Sequence, residues 1–528
     1  MSKDSDRAFF GHPAGLSTLF FTEMWERFSY YGMRAFLIFY MTGEVATGAL
    51  GMSVPTAGLV LGLYTSAVYL LSLPGGWIAD RFIGQRRAVT YGGIGIMFGN
   101  ILLAVPTEGL FYPGLALAAL GTGLLKPNVS TIVGQLYSPE DQRRESGFTI
   151  YYMGINIGAF FSPLACGYLA QSETFRSFLA GHGISPTHCW KFAFAAVALG
   201  MLAGLIQYIL GQGRLGEAGA HPTVPSDPAR AERDRTVLKA LLGGVAAIVA
   251  LAVIFRDHLT EKMIGNGFPV MLAIVAIGLF YGLYVSARDQ RERKGVIAMI
   301  PLFLGGIAFF GIFEQASSTL NLFAGDHTKP NFLGFMLPSY YQSVNSVFII
   351  ALAPVFAWLW IRLGRAGKEP SSVNKFGIGM LLITVAFIIM LPTLGPVGEG
   401  QRVSGFYLIV LYLLYTCSEL CISPVGLSSM SRLAPPRLAG MVMGTWFLGT
   451  SIGNFIAGQA AGFSANRGLG FLFWTVIILS LVVAGALFAV APMIRKMMAA
   501  DPGGPPDKSE KAEPEPLPKA RVIKESET

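Results

Sequence analysis

Apolar residues along this chain gather into long runs, near residues 16–43, 55–79, 87–105, 109–135, 146–170, 190–212, 236–256, 268–287, 296–324, 338–362, 375–393, 404–430, 440–463 and 469–494. An α-helix needs about 20 mostly apolar residues to cross a bilayer, so the pattern predicts about fourteen membrane helices. Lys and Arg collect on every second connection: Arg81, Arg86 and Arg87; Arg143 and Arg144; Arg214, Arg230, Arg233 and Arg235; Arg288, Arg291, Arg293 and Lys294; Arg362, Arg365 and Lys368; Arg432 and Arg437; then Arg495 and Lys496. The connections between these hold isolated cations or none. Cationic loops stay in the cytoplasm, so both termini are expected inside, in keeping with an even number of spans. Met1 to Pro13 is short and polar, with no small-residue cleavage site after the first run, and no secretory signal is expected. Residues 213–235 read as a polar, proline-bearing cytoplasmic linker and 499–528 as a charged tail, both expected to be poorly ordered.

Composition says which solvent surrounds these runs. Of 528 residues 53% are hydrophobic and 13% charged, with a mean hydropathy of +0.54. A soluble domain carries about a quarter charged residues, so most of this surface must face lipid. Intrinsic disorder, a disulfide scaffold and an ordinary cytosolic enzyme are excluded on the same ground. Cys166, Cys417 and Cys421 lie in apolar stretches and Cys189 stands in a loop, with no disulfide framework or zinc spacing. The net charge of +8 sits in short loops, where topology explains it better than nucleic acid does.

The chain also repeats itself. Tyr151-Tyr152-Met153-Gly154-Ile155-Asn156-Ile157-Gly158-Ala159-Phe160 aligns with Trp446-Phe447-Leu448-Gly449-Thr450-Ser451-Ile452-Gly453-Asn454-Phe455, and a weaker echo links Asp80–Arg87 to Ile361–Arg365. The two echoes share a similar offset. They imply two six-helix halves with a helix pair inserted between them near 236–287, and parallel halves around a central site are a transporter architecture.

Charge inside the spans is the unusual feature. Glu23, Glu26, Arg27, Tyr30, Tyr31 and Arg34 recur at helical spacing and share one stripe of the first span. Each charge at mid-membrane costs roughly 2.5–3.5 kcal/mol even on lenient scales, so the stripe must face partners or water within the bundle. Lys126, Glu314 and Glu419 supply further charges, and Asn156, Gln315, Asn345 and Asn321 further amides. Fixed helix–helix ion pairs are one account. A functional cavity is the other, and a gate is an ion pair that breaks. Both signs of charge, with aromatic Tyr30, Tyr31, Tyr69 and Trp446 among them, suit a zwitterion of variable side chain. None of the six histidines, His12, His182, His188, His221, His258 and His327, lies in a run, so proton coupling would rest on glutamates. Cys417 and Cys421 share a helical face but lack further metal ligands, and no metal is expected.

The string Glu23-Met24-Trp25-Glu26-Arg27-Phe28-Ser29-Tyr30-Tyr31-Gly32 resembles the ExxERFxYYG signature of the proton-dependent oligopeptide transporters, within the major facilitator superfamily. Gly76–Arg81 with Gly84, Arg86 and Arg87 is similar to the superfamily's loop between helices two and three. Tyr151–Gly158 resembles the family's FYxxINxG motif, with Tyr151 in place of phenylalanine. The inserted helix pair matches bacterial members.

The resemblance implies a major facilitator fold: an N-terminal six-helix bundle (1–212), a linker and inserted hairpin (213–294), a C-terminal bundle (295–498) and the tail (499–528). It implies that Arg27 and Lys126 receive a peptide carboxylate and that Asn156, Asn345 and Glu419 receive its amine. Tyr30, Tyr31, Tyr69 and Trp446 would line side-chain pockets, and Glu23, Glu26 and Glu314 would couple protons. Arg34 with Glu314 would close the outer side and Lys126 with Glu419 the inner side. Animal members place a histidine in the second helix where this chain has Gly62. The expected activity is proton-coupled import of di- and tripeptides across the inner membrane, by a monomer surrounded by lipid, without nucleic acid, with the proton as coupling ion and no other cofactor. A same-fold carrier of nitrate or a peptide-like drug is the alternative. An intramembrane hydrolase would need a nucleophile and base, or metal ligands, at facing depths.

Overall fold

The computed structural model describes residues 8–105, 107–138, 141–223, 227–254, 258, 260–433 and 438–499. A long helix stands at each predicted run: α1 (Ala14–Thr42), α2 (Val54–Ile78), α3 (Gln85–Ala104), α4 (Glu108–Gln135), α5 (Arg144–Gln171), α6 (Cys189–Gly211), α7 (Pro228–Ile254), α8 (Glu261–Ser286), α9 (Gln290–Phe313), α10 (Tyr341–Arg365), α11 (Ser372–Met390), α12 (Phe406–Leu433), α13 (Ala439–Arg467) and α14 (Leu469–Ala499). Among the described residues 11 helices are long and apolar enough to cross a membrane. The long helices outside that set are α1, α7 and α13. α1 carries the charged stripe, α7 begins in the polar linker, and α13 is rich in small and hydroxyl residues. The tail expected over 499–528 lies outside the described residues from 500 onward.

Local signals set the helix ends. Ser53, Thr260, Asp289 and Ser371 each accept a backbone N–H of the first turn of α2, α8, α9 and α11. Prolines lie inside α2, α4, α5, α8, α9, α10, α12 and α14, which membrane helices tolerate because neighbours meet the freed carbonyls.

Two expectations are revised. The ninth run does not form one helix: α9 stops at Phe313, a 3₁₀ turn spans Glu314–Ser317, and a short helix follows at Thr319–Asp326. The cause is buried polarity. Ser318 Oγ donates to the Ala457 carbonyl at 2.7 Å and Asn321 Nδ2 to the Ala35 carbonyl at 2.8 Å, and these partners hold the chain off a straight helical path. The linker after α6 is also tied down over its first half. Arg86 Nε donates to the Ala218 carbonyl at 2.7 Å, the Arg86 amide to Gly219 at 3.0 Å, and the Thr223 amide to Asp80 at 2.7 Å. The cations at the ends of α2 and α3 thus find linker carbonyls.

The buried residues of two clusters lie within 16–215 and those of a third within 283–494, while a fourth joins Leu59 of α2 and Leu272 and Ala276 of α8 to Phe303, Leu448 and Phe455. The repeated glycines explain the symmetry. A Cβ on Gly154 would meet the Phe20 carbonyl at 2.9 Å, and one on Gly158 would meet that of Met24 at 2.3 Å, so α5 lies backbone to backbone on α1. In the second half Gly453 packs on Phe310 and Gly311 in the same way, with a Cβ there 2.4 Å from Phe310 Cβ, which seats α13 on α9. The motif therefore locks the fifth helix of each half to the first.

The halves meet along two seams. We term the end bearing the cation-rich connections inner and the opposite end outer. Along α2 and α13, Gly58 faces Gly458, Gly62 faces Phe455, and the Ser66 and Ser451 hydroxyls lie 2.7 Å apart. Between α5 and α10, Ser343 Oγ donates to the Phe160 carbonyl at 2.7 Å and Ser339 Oγ to Gln171 Oε1 at 2.7 Å. Ser339 also reaches the Ala35 carbonyl at 3.1 Å, so α1 joins this outer seal.

Candidate functional site

The charged stripe of α1 faces the interior. Glu23, Glu26, Arg27, Tyr30 and Arg34 are buried, Glu26 to 1% exposure and Arg27 to 3%, and Tyr31 is half-buried. α5 presses against this helix at Gly158, where a Cβ would come 3.1 Å from that of Arg27. Arg27 pairs with Glu23 at 3.1 Å and with Glu26. Its guanidinium carbon also lies 5.3 Å from the Tyr30 ring centroid and 5.9 Å from that of Tyr31. Tyr151, on α5, donates from its hydroxyl to Glu23 Oε2 at 2.7 Å.

One and two turns further along α1, the same aromatics serve a second cation. Arg34 lies 5.6 Å from the Tyr30 ring and 5.7 Å from the Tyr31 ring, and its Nη1 donates to the Tyr30 hydroxyl at 3.4 Å. Its Nη2 forms a buried ion pair with Glu314 across the two halves. Glu314 arrives there because α9 ends one residue earlier.

The remaining predicted residues surround this cluster. Lys126, beside Pro127 in α4, sits 3.7 Å from the Tyr69 ring centroid and within electrostatic reach of Glu26, Glu23 and Glu314. From the second half, Asn345 Nδ2 donates to Glu419 Oε2 at 3.1 Å and to Thr416 Oγ1 at 3.0 Å. Asn156 is half-buried and donates to the Tyr152 carbonyl of its own helix at 3.1 Å. Lys126 and Glu419 are both half-buried, and among the described residues they share no ion pair. The structure thus joins the outer pair and leaves the inner one apart. Trp446 is buried between Phe310 and Phe376, 5.8 Å and 6.4 Å away between centroids, so it forms a wall of the second half.

The arrangement has separate poles: Arg27 and Lys126 on the first half, Glu419 with its amide partner on the second. Several polar atoms lack a hydrogen bond among the described residues, including Glu26 Oε1 and Arg27 Nη2. No group of three His, Cys, Asp or Glu side chains among the described residues has metal-binding geometry.

The POT family model matches residues 86–470. The chain belongs to the POT family. As a POT-family member it is 36% identical over 516 residues to "Peptide transporter YePEPT" of Yersinia enterocolitica, covering 93% of this chain and 96% of that one. It is 35% identical over 511 residues to a "Di-/tripeptide transporter" of Lactococcus lactis subsp. cremoris, covering 94% of this chain and 98% of the relative. Among solved structures, a peptide transporter POT in complex with sulfate superposes with a TM-score of 0.83 at 39% identity, covering 94% of this chain and 99% of that one. This POT-family chain is therefore an integral membrane protein of major facilitator type.

Two partners of the site escape the motifs. Tyr151 belongs to the repeated string but reads there as one more aromatic of a packing pattern, and only the α1–α5 contact shows its hydroxyl on Glu23. Thr416, three residues before Glu419, anchors Asn345 and returns its own proton to the Tyr412 carbonyl at 2.8 Å. Its helical spacing from Glu419 was the available signal.

Proposed function

We propose that this POT-family protein is a proton-coupled symporter that imports di- and tripeptides by alternating access of its two halves. The observation that carries this reading is the asymmetry of the gate residues: Arg34 is paired with Glu314 across the halves, while Lys126 and Glu419 stand apart. A zwitterionic peptide fits between them, its carboxylate toward Arg27 and Lys126 and its amine toward Glu419 and Asn345, with Asn156 on the rim. The names of the relatives support the substrate class. Cation-rich inner connections support a cytoplasmic inner end with both termini there.

Proton coupling rests on the carboxylates. Glu23 and Glu26 share one arginine, and Glu314 holds another. A carboxylate deprived of its arginine by an incoming peptide carboxylate takes up a proton more readily, and protonation in turn frees the arginine. One proton carried inward with a neutral zwitterion gains about 2.3 kcal/mol per 100 mV, enough for roughly 40-fold accumulation. The chain works as a monomer with no cofactor besides the proton and performs no covalent chemistry.

Uptake of radiolabelled dipeptide into proteoliposomes under an imposed inward proton gradient tests the reading. Accumulation that collapses with the gradient is expected, and no uptake across a varied dipeptide panel would overturn it. Lys126→Ala should weaken free-carboxylate peptides more than C-terminally amidated ones, and equal losses would reject the assigned contact.

A further inference from the structure

The two carboxylates that share Arg27 are held differently. Glu23 Oε1 lies 3.1 Å from Arg27 Nε, and its Oε2 accepts the Tyr151 hydroxyl at 2.7 Å. Glu26 touches the same guanidinium, yet neither of its oxygens accepts a hydrogen bond among the described residues. Both side chains are buried. The other titratable groups facing the pair come from three helices: Lys126 of α4, within electrostatic reach of both carboxylates, Tyr64 of α2, in reach of Glu26, and Tyr152 of α5, in reach of Glu23.

Tyr151 is 3% exposed and stands one turn before Gly154, where α5 lies backbone to backbone on α1. Its ring belongs to the buried cluster that contains Leu16 and Leu19, and this packing delivers its hydroxyl to Glu23. A hydroxyl on a carboxylate makes a charge-assisted bond, stronger than one between neutral groups and stronger again where water is excluded. Glu23 is the one acceptor this hydroxyl finds among the described residues. A proton on Glu23 would weaken that bond, whereas a proton on Glu26 leaves it whole and removes a buried charge that lacks donors.

We propose, on the reading of the protein as a proton-coupled symporter, that Tyr151 is a positioning residue: its hydroxyl keeps Glu23 as the standing anionic partner of Arg27, so that the proton taken up by this pair goes to Glu26. The two carboxylates then have different tasks. Glu23 holds the guanidinium in place throughout the cycle. Glu26 loses its attraction for Arg27 when protonated, which frees one side of the guanidinium for a peptide carboxylate. A hydrogen bond to a charged group is worth roughly tenfold or more in an equilibrium, and Tyr151 biases the proton between the two carboxylates by about that factor.

Infrared difference spectroscopy of the full chain in liposomes, titrated from alkaline to acid pH, reports protonated carboxyls by their C=O stretch and does not depend on transport. With Tyr151 intact, Glu26→Gln should remove one protonated-carboxyl component and Glu23→Gln should remove none. In Tyr151→Phe, which keeps the ring and loses the hydroxyl, Glu23→Gln should remove a component as well, the ratio of proton on Glu23 to proton on Glu26 having risen about tenfold. Gradient-driven dipeptide uptake by Tyr151→Phe should reach an acid plateau about twofold lower, with its midpoint moved to higher pH, because part of the proton now sits on Glu23; lost packing would not move the midpoint. A component removed by Glu23→Gln with Tyr151 intact, or a Tyr151→Phe protein whose spectra and pH profile match the parent's, would overturn the assignment. A chain that takes up no dipeptide yet shows the expected spectra would refute the symport reading and uphold the role of Tyr151. If Tyr151→Phe misfolds, the Glu23→Gln and Glu26→Gln spectra with Tyr151 intact still decide.

Discussion

The outer seal has a point where its strength can be read from backbone geometry. Gly458 of α13 crosses α2 so closely that an added Cβ would lie 2.5 Å from the Gly58 carbonyl oxygen, 2.5 Å from Gly62 Cα and 2.6 Å from Gly62 N. These are backbone atoms and cannot rotate aside. Carbon atoms rest at about 3.5–4.0 Å, so Gly458→Val must part the helices by about 1 Å. Overpacking of this kind costs about 1–3 kcal/mol. Two turns inward, the paired Ser66 and Ser451 hydroxyls and the Ser451-to-Ser66 carbonyl bond at 2.9 Å would loosen too, at about 0.6 kcal/mol each. The closed outer state should lose about 2–4 kcal/mol relative to an open one, a shift of roughly 30- to 700-fold in their ratio. Spin labels at Val45 and Phe335, exposed on outer loops of opposite halves, report it by double electron–electron resonance in a cysteine-free background. The unmodified protein should give one short distance, and Gly458→Val a substantial longer component. Gly485→Val, whose Cβ would meet nothing within 4 Å, is the control and should leave the distribution unchanged. A folded Gly458→Val protein with the same distribution as its parent would refute the view that this crossing holds the outer end shut.

Other consequences can be checked separately. Glu314→Gln leaves Arg34 buried without its charged partner, at a cost of about 3–5 kcal/mol, and the same spin-label pair should report outer opening; an unchanged distance would remove Glu314 from the gate. Glu23→Gln and Glu26→Gln should abolish gradient-driven accumulation while retaining peptide counterflow, and unimpaired accumulation in both would reject the coupling assignment. Asn345→Leu deprives Glu419 of its amide donor and should raise the KM for dipeptides about tenfold, the worth of a hydrogen bond to a charged group; KM within twofold of the parent would place the amine elsewhere. His12, at the inner end before α1, is held below the ordinary histidine pKa by burial and then by Arg143, with Asp141 opposing. The folded state therefore binds that proton less readily than the unfolded chain, so stability present above about pH 6.5 is lost as pH falls through the folded value. The melting temperature in detergent should drop more between about pH 7 and 5 for the parent than for His12→Gln, and parallel curves would contradict this.

Much of this was legible in the chain because the relevant patterns are local. The stripe from Glu23 to Arg34 sits on one helix, so its spacing alone places the groups on one face, and the structure buries Glu23, Glu26, Arg27, Tyr30 and Arg34 there. What stayed hidden depends on neighbours. Glu314 reaches Arg34 only because buried Ser318 and Asn321 find carbonyls on α13 and α1, and hydropathy averages over such a break. Trp446 shares a motif position with Tyr151, yet Tyr151 reaches Glu23 while Trp446 packs among Phe310 and Phe376. A repeat conserves how helices approach one another, and each half then spends its equivalent positions differently.

That division explains how a costly cluster can serve as a moving part. The glycine pairs hold α5 on α1 and α13 on α9 through rigid backbone contact, so each half keeps its charged residues at a fixed depth. Between the halves, the polar contacts besides Arg34–Glu314 among the described residues come from hydroxyls and amides, worth little individually in a membrane. A buried ion pair is itself a weak stabiliser, because desolvation cancels most of its attraction. Breaking it into a cavity that offers water, a peptide terminus or a proton therefore costs far less than deleting one partner. Rigid halves joined by near-neutral contacts give two states close in free energy, and a proton or peptide charge placed beside Arg34, Arg27 or Lys126 has enough leverage to choose between them.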